Sequence, residues 1–180
     1  MKAPYNVLDV AHYIVKYSNE HGYEISNLKL QKLLYFVQAL FLVMSNGKIP
    51  CFKEEIEAWP FGPVVPEVYD EYKIYGSLEI PYSKTKNVLN KSLELEKYVY
   101  DENIISEDDK SNINEVIEHF KNKSAYALAN LTHNQDPWKN AFIPYCSQTI
   151  PRESITKFFS IGMSKINSGG ARCLKATLRL

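Results

Sequence analysis

A chain of 180 residues with 45% apolar side chains is long enough to bury one ordinary core and too apolar to be a disordered segment. Its acids and bases balance to a net charge of zero, which removes any overall electrostatic drive toward nucleic acid or an anionic membrane. Three scattered cysteines, Cys51, Cys146 and Cys173, have neither C-x-x-C nor zinc-ligand spacing and suit free thiols in a reducing compartment.

Met1 to Asn6 lacks the charged-then-apolar pattern of a signal peptide, so a cytoplasmic location is expected. Val7, Val10, Ala11, Ile14 and Val15 recur at helical spacing and predict an amphipathic helix from Val7 to Asn19, ended by His21-Gly22. Ser26 or Asn27 can cap the next helix, which runs to about Ser45 and stops at Asn46-Gly47. That helix is apolar around most of its circumference, so other elements should surround it. Its longest uninterrupted apolar run is far below the roughly 20 residues that span a bilayer.

Ile49, Cys51-Phe52 and Glu55 to Trp59 suggest a short strand or hairpin. The prolines and glycine of Trp59 to Pro66 exclude a regular helix or a central strand there. Aromatic–Pro bonds favour cis more than most, which makes Trp59–Pro60 a candidate cis turn. Pro66 suits the first position of a helix, and Glu67 favours its positive end; that helix should run from Pro66 to Tyr75 and close at Gly76.

Residues 77–105 carry a weaker signal, in which Leu89, Leu93 and Leu95 fit either a helix or paired strands. Ser106-Glu107-Asp108-Asp109 reads as a capping-box start, with aspartate in place of glutamate. The helix behind it should reach Lys121 and bury Ile113, Val116, Ile117 and Phe120. Ser124 caps a further helix from Ala125 to Leu131, and Thr132 to Pro137 reads as a loop before Trp138. Pro151 to Ile166 predicts a last helix burying Ile155, Phe158, Phe159 and Ile161. Together these give a mainly α fold, a single helical bundle over residues 1–166 around a central apolar helix, with one short β-hairpin. Residues 167–180, glycine-rich and basic, read as a flexible or expression-derived extension.

Charge is unevenly placed. Residues 101–120 hold seven acids against one base, and residues 151–180 hold six bases against one acid. Such runs are most often solvated faces. No arginine precedes Arg152, and arginine supplies the commonest specific base contacts, so direct nucleic-acid readout is disfavoured.

The histidines His12, His21, His119 and His133 lie on separate elements without metal-ligand spacing, so neither a metal nor a cofactor is expected. Phosphate-loop, dinucleotide and nucleophile-elbow motifs are missing from the sequence. Glu54, Glu55 and Glu57 cluster without a neighbouring nucleophile and read as solvated. The only hydrolase or transferase reading would need His133, Cys146 and a carboxylate to share a pocket. A binding protein is expected, not an enzyme.

Two patterns remain. Gln31, Tyr35 and Gln38 form one stripe of the apolar helix. Either they are satisfied inside the domain by loop backbone or they line a groove for a partner. The Trp59 to Pro66 segment presents aromatic rings on a stiff loop, which either covers the central helix or forms an interface hot spot.

Asn27-Leu28-Lys29-Leu30-Gln31-Lys32-Leu33-Leu34-Tyr35-Phe36-Val37-Gln38, followed by Glu54-Glu55-Ile56-Glu57-Ala58-Trp59-Pro60-Phe61-Gly62-Pro63-Val64-Val65-Pro66-Glu67-Val68-Tyr69, resembles the SocA-like Panacea domain, which includes phage-associated GepA-like proteins. The resemblance covers Val7 to Tyr75 well, and Asn134-Gln135-Asp136-Pro137-Trp138 more loosely. It implies a helical fold and an antitoxin of a bacterial or phage toxin–antitoxin pair that neutralises a cognate toxin by direct protein contact. The alternatives it leaves are an adaptor delivering the toxin to a ClpXP-type protease, or a DNA-binding autoregulator. The residues expected to face a partner are Gln31, Tyr35, Gln38, Glu57, Trp59, Phe61, Gly62, Pro63, Tyr69 and Trp138.

Overall fold

A computed structural model describes residues 2–89, 94–101 and 103–163. Among these, seven helices and two small antiparallel sheets make a mainly α fold. The extension expected from residue 167 onward lies outside the described residues, as does the end of the last helix beyond Met163.

The second helix organises the domain. Helix α1 spans Val7–Glu20 and is capped by the Asn6 side chain, which accepts from the Leu8 N–H; α2 spans Asn27–Met44, with Ser26 accepting from Lys29. Every residue from Lys29 to Val43 is buried, so α2 has no solvent face. Its C-terminus closes as a Schellman motif, with Asn46 at φ 53° and the Gly47 N–H bonded to the Leu42 carbonyl at 2.6 Å.

Around α2 pack α1, α3 (Pro66–Tyr72), α4 (Glu107–Phe120), α5 (Ala125–His133) and α7 (Arg152–Met163). Their predicted apolar faces turn inward: Val10 and Ile14 of α1, Ile113 and Phe120 of α4, and Ile155 and Phe159 of α7 are all buried. Phe36 stacks on Phe120 at 4.4 Å and meets Phe159 edge-on, which locks three helices through one ring. Phe158, expected in the core, is only half-buried.

The hairpin forms later than expected. Strands β1 (Glu57–Trp59) and β2 (Gly62–Val64) pair, while Phe52 makes only an isolated bridge with Tyr5. A third strand, β5 (Gln148–Thr149), joins β1 from the other side, so β2 is an edge strand. That position tolerates Pro63, which has no N–H to give a second neighbour. The Trp59–Pro60 bond is not cis; the cis bond in the described residues is Ala3–Pro4.

Helix α3 ends at Tyr72 and tightens into a 3-10 turn, Lys73–Tyr75, before Gly76. Within 77–105 the described residues include two paired strands, β3 (Thr85–Leu89) and β4 (Leu95–Val99), while Leu93 lies outside the described residues. Thr132 and His133 belong to α5, and Asp136–Ala141 forms a short helix α6 around Trp138 in place of the expected loop. Pro137 in its first turn explains the difference, since a proline there starts a helix at no hydrogen-bonding cost.

The expected capping box at Ser106 is rewired. Ser106 accepts from the Asp109 N–H, but Asp109 does not reach back to the Ser106 N–H. The Tyr5 hydroxyl takes that N–H and donates in turn to Asp109 Oδ2 at 2.6 Å, tying α4 to the chain start.

Candidate functional site

The polar stripe of α2 lies inside the domain. Gln38 Oε1 accepts from the Cys51 and Phe52 N–H groups, and its Nε2 donates to the Phe52 carbonyl. Tyr35 donates to Gln135 Oε1 at 3.0 Å, and burial pushes its hydroxyl far above the ordinary phenol range. Gln31 donates to Asn27 Oδ1 and accepts from the Val65 N–H at 2.9 Å. These three side chains act as struts for the loops that wrap α2. Of the three, Gln31 also reaches the floor of a surface groove.

That groove, about 290 Å³, opens between the start of α2, the β1–β2 turn, α3 and α5. Gln31, Asn27 and Leu28 line it from α2, Trp59, Pro60 and Phe61 from the turn, and Tyr69 from α3. Tyr126 of α5, absent from the sequence-based candidates, forms the opposite rim and is 70% exposed. A single exposed tyrosine on a short helix carries no distinguishing sequence signal.

Trp59 is held at both ends. Its indole N–H donates to Glu57 Oε2 at 2.7 Å, and its backbone carbonyl accepts from the Trp138 indole N–H at 3.0 Å. The Trp138 ring stacks between His133 and Phe142, so Trp138 buttresses the turn from behind and does not line the groove. Phe61, at the tip, is 62% exposed. An exposed phenylalanine on a fixed turn offers an anchor whose burial costs little entropy.

Under the turn lies an enclosed lysine. Lys32 is fully buried and donates from Nζ to the Pro63 carbonyl at 2.8 Å. Burial pushes its amine down to about 7. Gly62 runs against it at φ 99°, and a Cβ there would lie 2.9 Å from Lys32 Nζ and 2.6 Å from Thr132 Oγ1. Only glycine fits this approach. Gly62 and Pro63 are themselves buried and present no side-chain surface. The structure thus brings Gln31, Trp59, Phe61 and Tyr69 to one groove. Glu57, Gly62, Pro63 and Trp138 stand behind it as supports, and Tyr35 and Gln38 lie in the core.

The groove includes neither His133 nor Cys146, so the residues named for a hydrolase do not meet there. Glu55 pairs with Arg152, whose guanidinium also bonds the Lys53 carbonyl; with Glu57 engaged by Trp59, two of the three clustered carboxylates tie down this end of the sheet. Among the described residues no group of three metal-ligating side chains occurs, and no helix is long and apolar enough to cross a membrane.

Residues 30–139 match the family described as Antitoxin SocA-like, Panacea domain. A curated protein named Antitoxin SocA, from Caulobacter vibrioides (strain NA1000 / CB15N), is 52% identical over 52 residues. That match covers 29% of this chain and 27% of the curated protein, so the shared stretch is a minor part of each. No solved structure matches the chain.

Proposed function

The chain belongs to the SocA-like antitoxin family with the Panacea domain, and from that premise we propose that it neutralises a cognate toxin protein by binding it directly. It works as a binding protein and not as an enzyme. The observation that carries the reading is the groove in which Phe61, Tyr69 and Tyr126 stay exposed around a Trp59 side chain fixed by Glu57. Exposed aromatics on a stiff frame are what a protein interface needs at its centre, because they bury large area with few rotamers to freeze.

A toxin segment seated in this groove would contact Trp59, Phe61 and Tyr69 together, with Gln31 at the floor. Glu57 and Trp138 contribute by holding Trp59, while Gly62 and Pro63 set the turn. With the turn closed over α2, docking needs little rearrangement of this chain.

Co-expression with the product of the neighbouring gene tests the reading, scoring host growth and co-purification. Direct neutralisation predicts growth rescue together with a stoichiometric complex. Rescue accompanied by loss of the neighbour protein would assign the chain instead to proteolytic delivery through a ClpXP-type protease. A neighbour that is neither toxic nor bound would overturn the antitoxin assignment.

A further inference from the structure

We propose that Lys32 is the positioning residue of the groove: its bond to the Pro63 carbonyl holds the Trp59–Phe61 turn in place, and protonation of this enclosed amine releases the turn. The proposal rests on the docking reading only for its consequence, since release of the turn is readable without any partner.

The geometry allows one direction of release. Lys32 projects from α2, the most enclosed element of the domain, and its Nζ reaches outward to β2, the edge strand of a three-stranded sheet. Thr132 of α5 closes the other side, its hydroxyl anchored to the Ala129 carbonyl at 2.8 Å. Between them Gly62 leaves no room for even a methyl group. Water can reach this nitrogen only if the turn lifts.

A neutral amine is adequately served by one carbonyl. An ammonium carries three donors and needs a counter-charge or water, and no carboxylate of the described residues lies within ion-pair reach of Lys32. Enclosure without compensation brings its titration down to about 7. The elements packed on this nitrogen are β2, which has no titratable residue, and α5, whose titratable residues are Tyr126 and His133. His133 is lowered by burial first and by Lys32 second, with a backbone hydrogen bond at Pro60 opposing, so it adds no negative charge to neutralise the lysine. On β1, Glu57 is occupied by the Trp59 indole.

In the open turn the amine has the ordinary lysine value of about 10.4, so the closed turn loses stability relative to it as pH falls below that value, and the loss is complete once pH has passed the closed-form value of about 7. Trp59 and Trp138, joined by one hydrogen bond at this turn, are the protein's two tryptophans and report on it by fluorescence.

The test titrates the full chain between about pH 5 and pH 11 and follows tryptophan emission alongside the NMR shift of the lysine Cε groups. The expected result is an emission change between about pH 7 and pH 10 that tracks one Cε resonance, is lost in Lys32→Met and survives in His133→Gln. Lys32→Met removes the charge at similar volume; should it fail to fold, the wild-type Cε titration decides by itself. A transition that persists in Lys32→Met and disappears in His133→Gln would overturn the proposal, as would a Lys32 Cε that titrates in the ordinary lysine range.

Discussion

The rings of Trp59 and Tyr69 meet edge to face, 5.0 Å between centroids and 61° between planes. One comes from a strand end and the other from the first turns of a helix, so their contact fixes the angle between sheet and α3 and forms the wall of the groove. Tyr69→Ala should therefore leave far-UV circular dichroism unchanged and weaken toxin binding about tenfold or more, on the order of 1.4 kcal/mol. Trp59→Ala should weaken it further, with a modest loss of stability because the indole is half-buried. Loss of helix content in either variant would place these side chains in the core instead.

Gln38 makes a different prediction. One amide satisfies two buried N–H groups and a buried carbonyl of the Cys51–Phe52 loop. Gln38→Leu keeps the volume and orphans all three, at a cost of roughly 1–3 kcal/mol for each group left unsatisfied. Urea unfolding should show a drop of several kcal/mol with no effect on toxin binding at temperatures where the variant is folded.

Gly62→Ala should be among the most destabilising single-methyl additions in this chain. The residue sits at φ 99°, and the new methyl would lie 2.6 Å from Thr132 Oγ1. Strain at such a backbone position costs on the order of 1–3 kcal/mol before any clash is counted. Thermal unfolding measures the loss. A matching Thr132→Ala background should recover part of it, because the closest obstacle is then gone.

Asp109 sets the acid limit of the fold. Burial alone would raise its carboxyl, but the hydrogen bonds from Tyr5, the Lys2 backbone and Ser106 outweigh it and leave the carboxyl below its ordinary value. A carboxylate lowered in the folded state contributes stability above its unfolded pKa of about 4 and loses it as pH falls through the folded value. Asp109→Asn should thus melt below the wild type by a constant margin from neutral pH down to about 4. Below that the two curves should converge.

Much of this fold was legible from residue patterns, for reasons specific to each element. The apolar run of α2 announced a helix without a solvent face, and the caps Ser26, Ser106 and Ser124 marked starts to within a residue, because capping is chemistry local to the chain. The Pro63 edge strand and α6 lack a pattern because they are only three and six residues long, too short to show a period. In the groove, the aromatic turn and Tyr69 stood out, while Tyr126 did not. Lys32 carries no local mark of its role, because its burial depends on the turn that folds across it.

The Phe61 turn is the proposed contact with the toxin. It is tested by the affinity of the purified full chain for the product of the neighbouring gene, comparing wild type with Phe61→Glu by titration calorimetry. Phe61 is exposed in the free protein, so the substitution should leave the melting temperature within about a degree or two. Direct docking predicts that affinity falls at least about a hundredfold, because a charge is forced into an apolar contact. Unchanged affinity in a folded Phe61→Glu protein would rule out docking at this turn and move the toxin to another face of the domain.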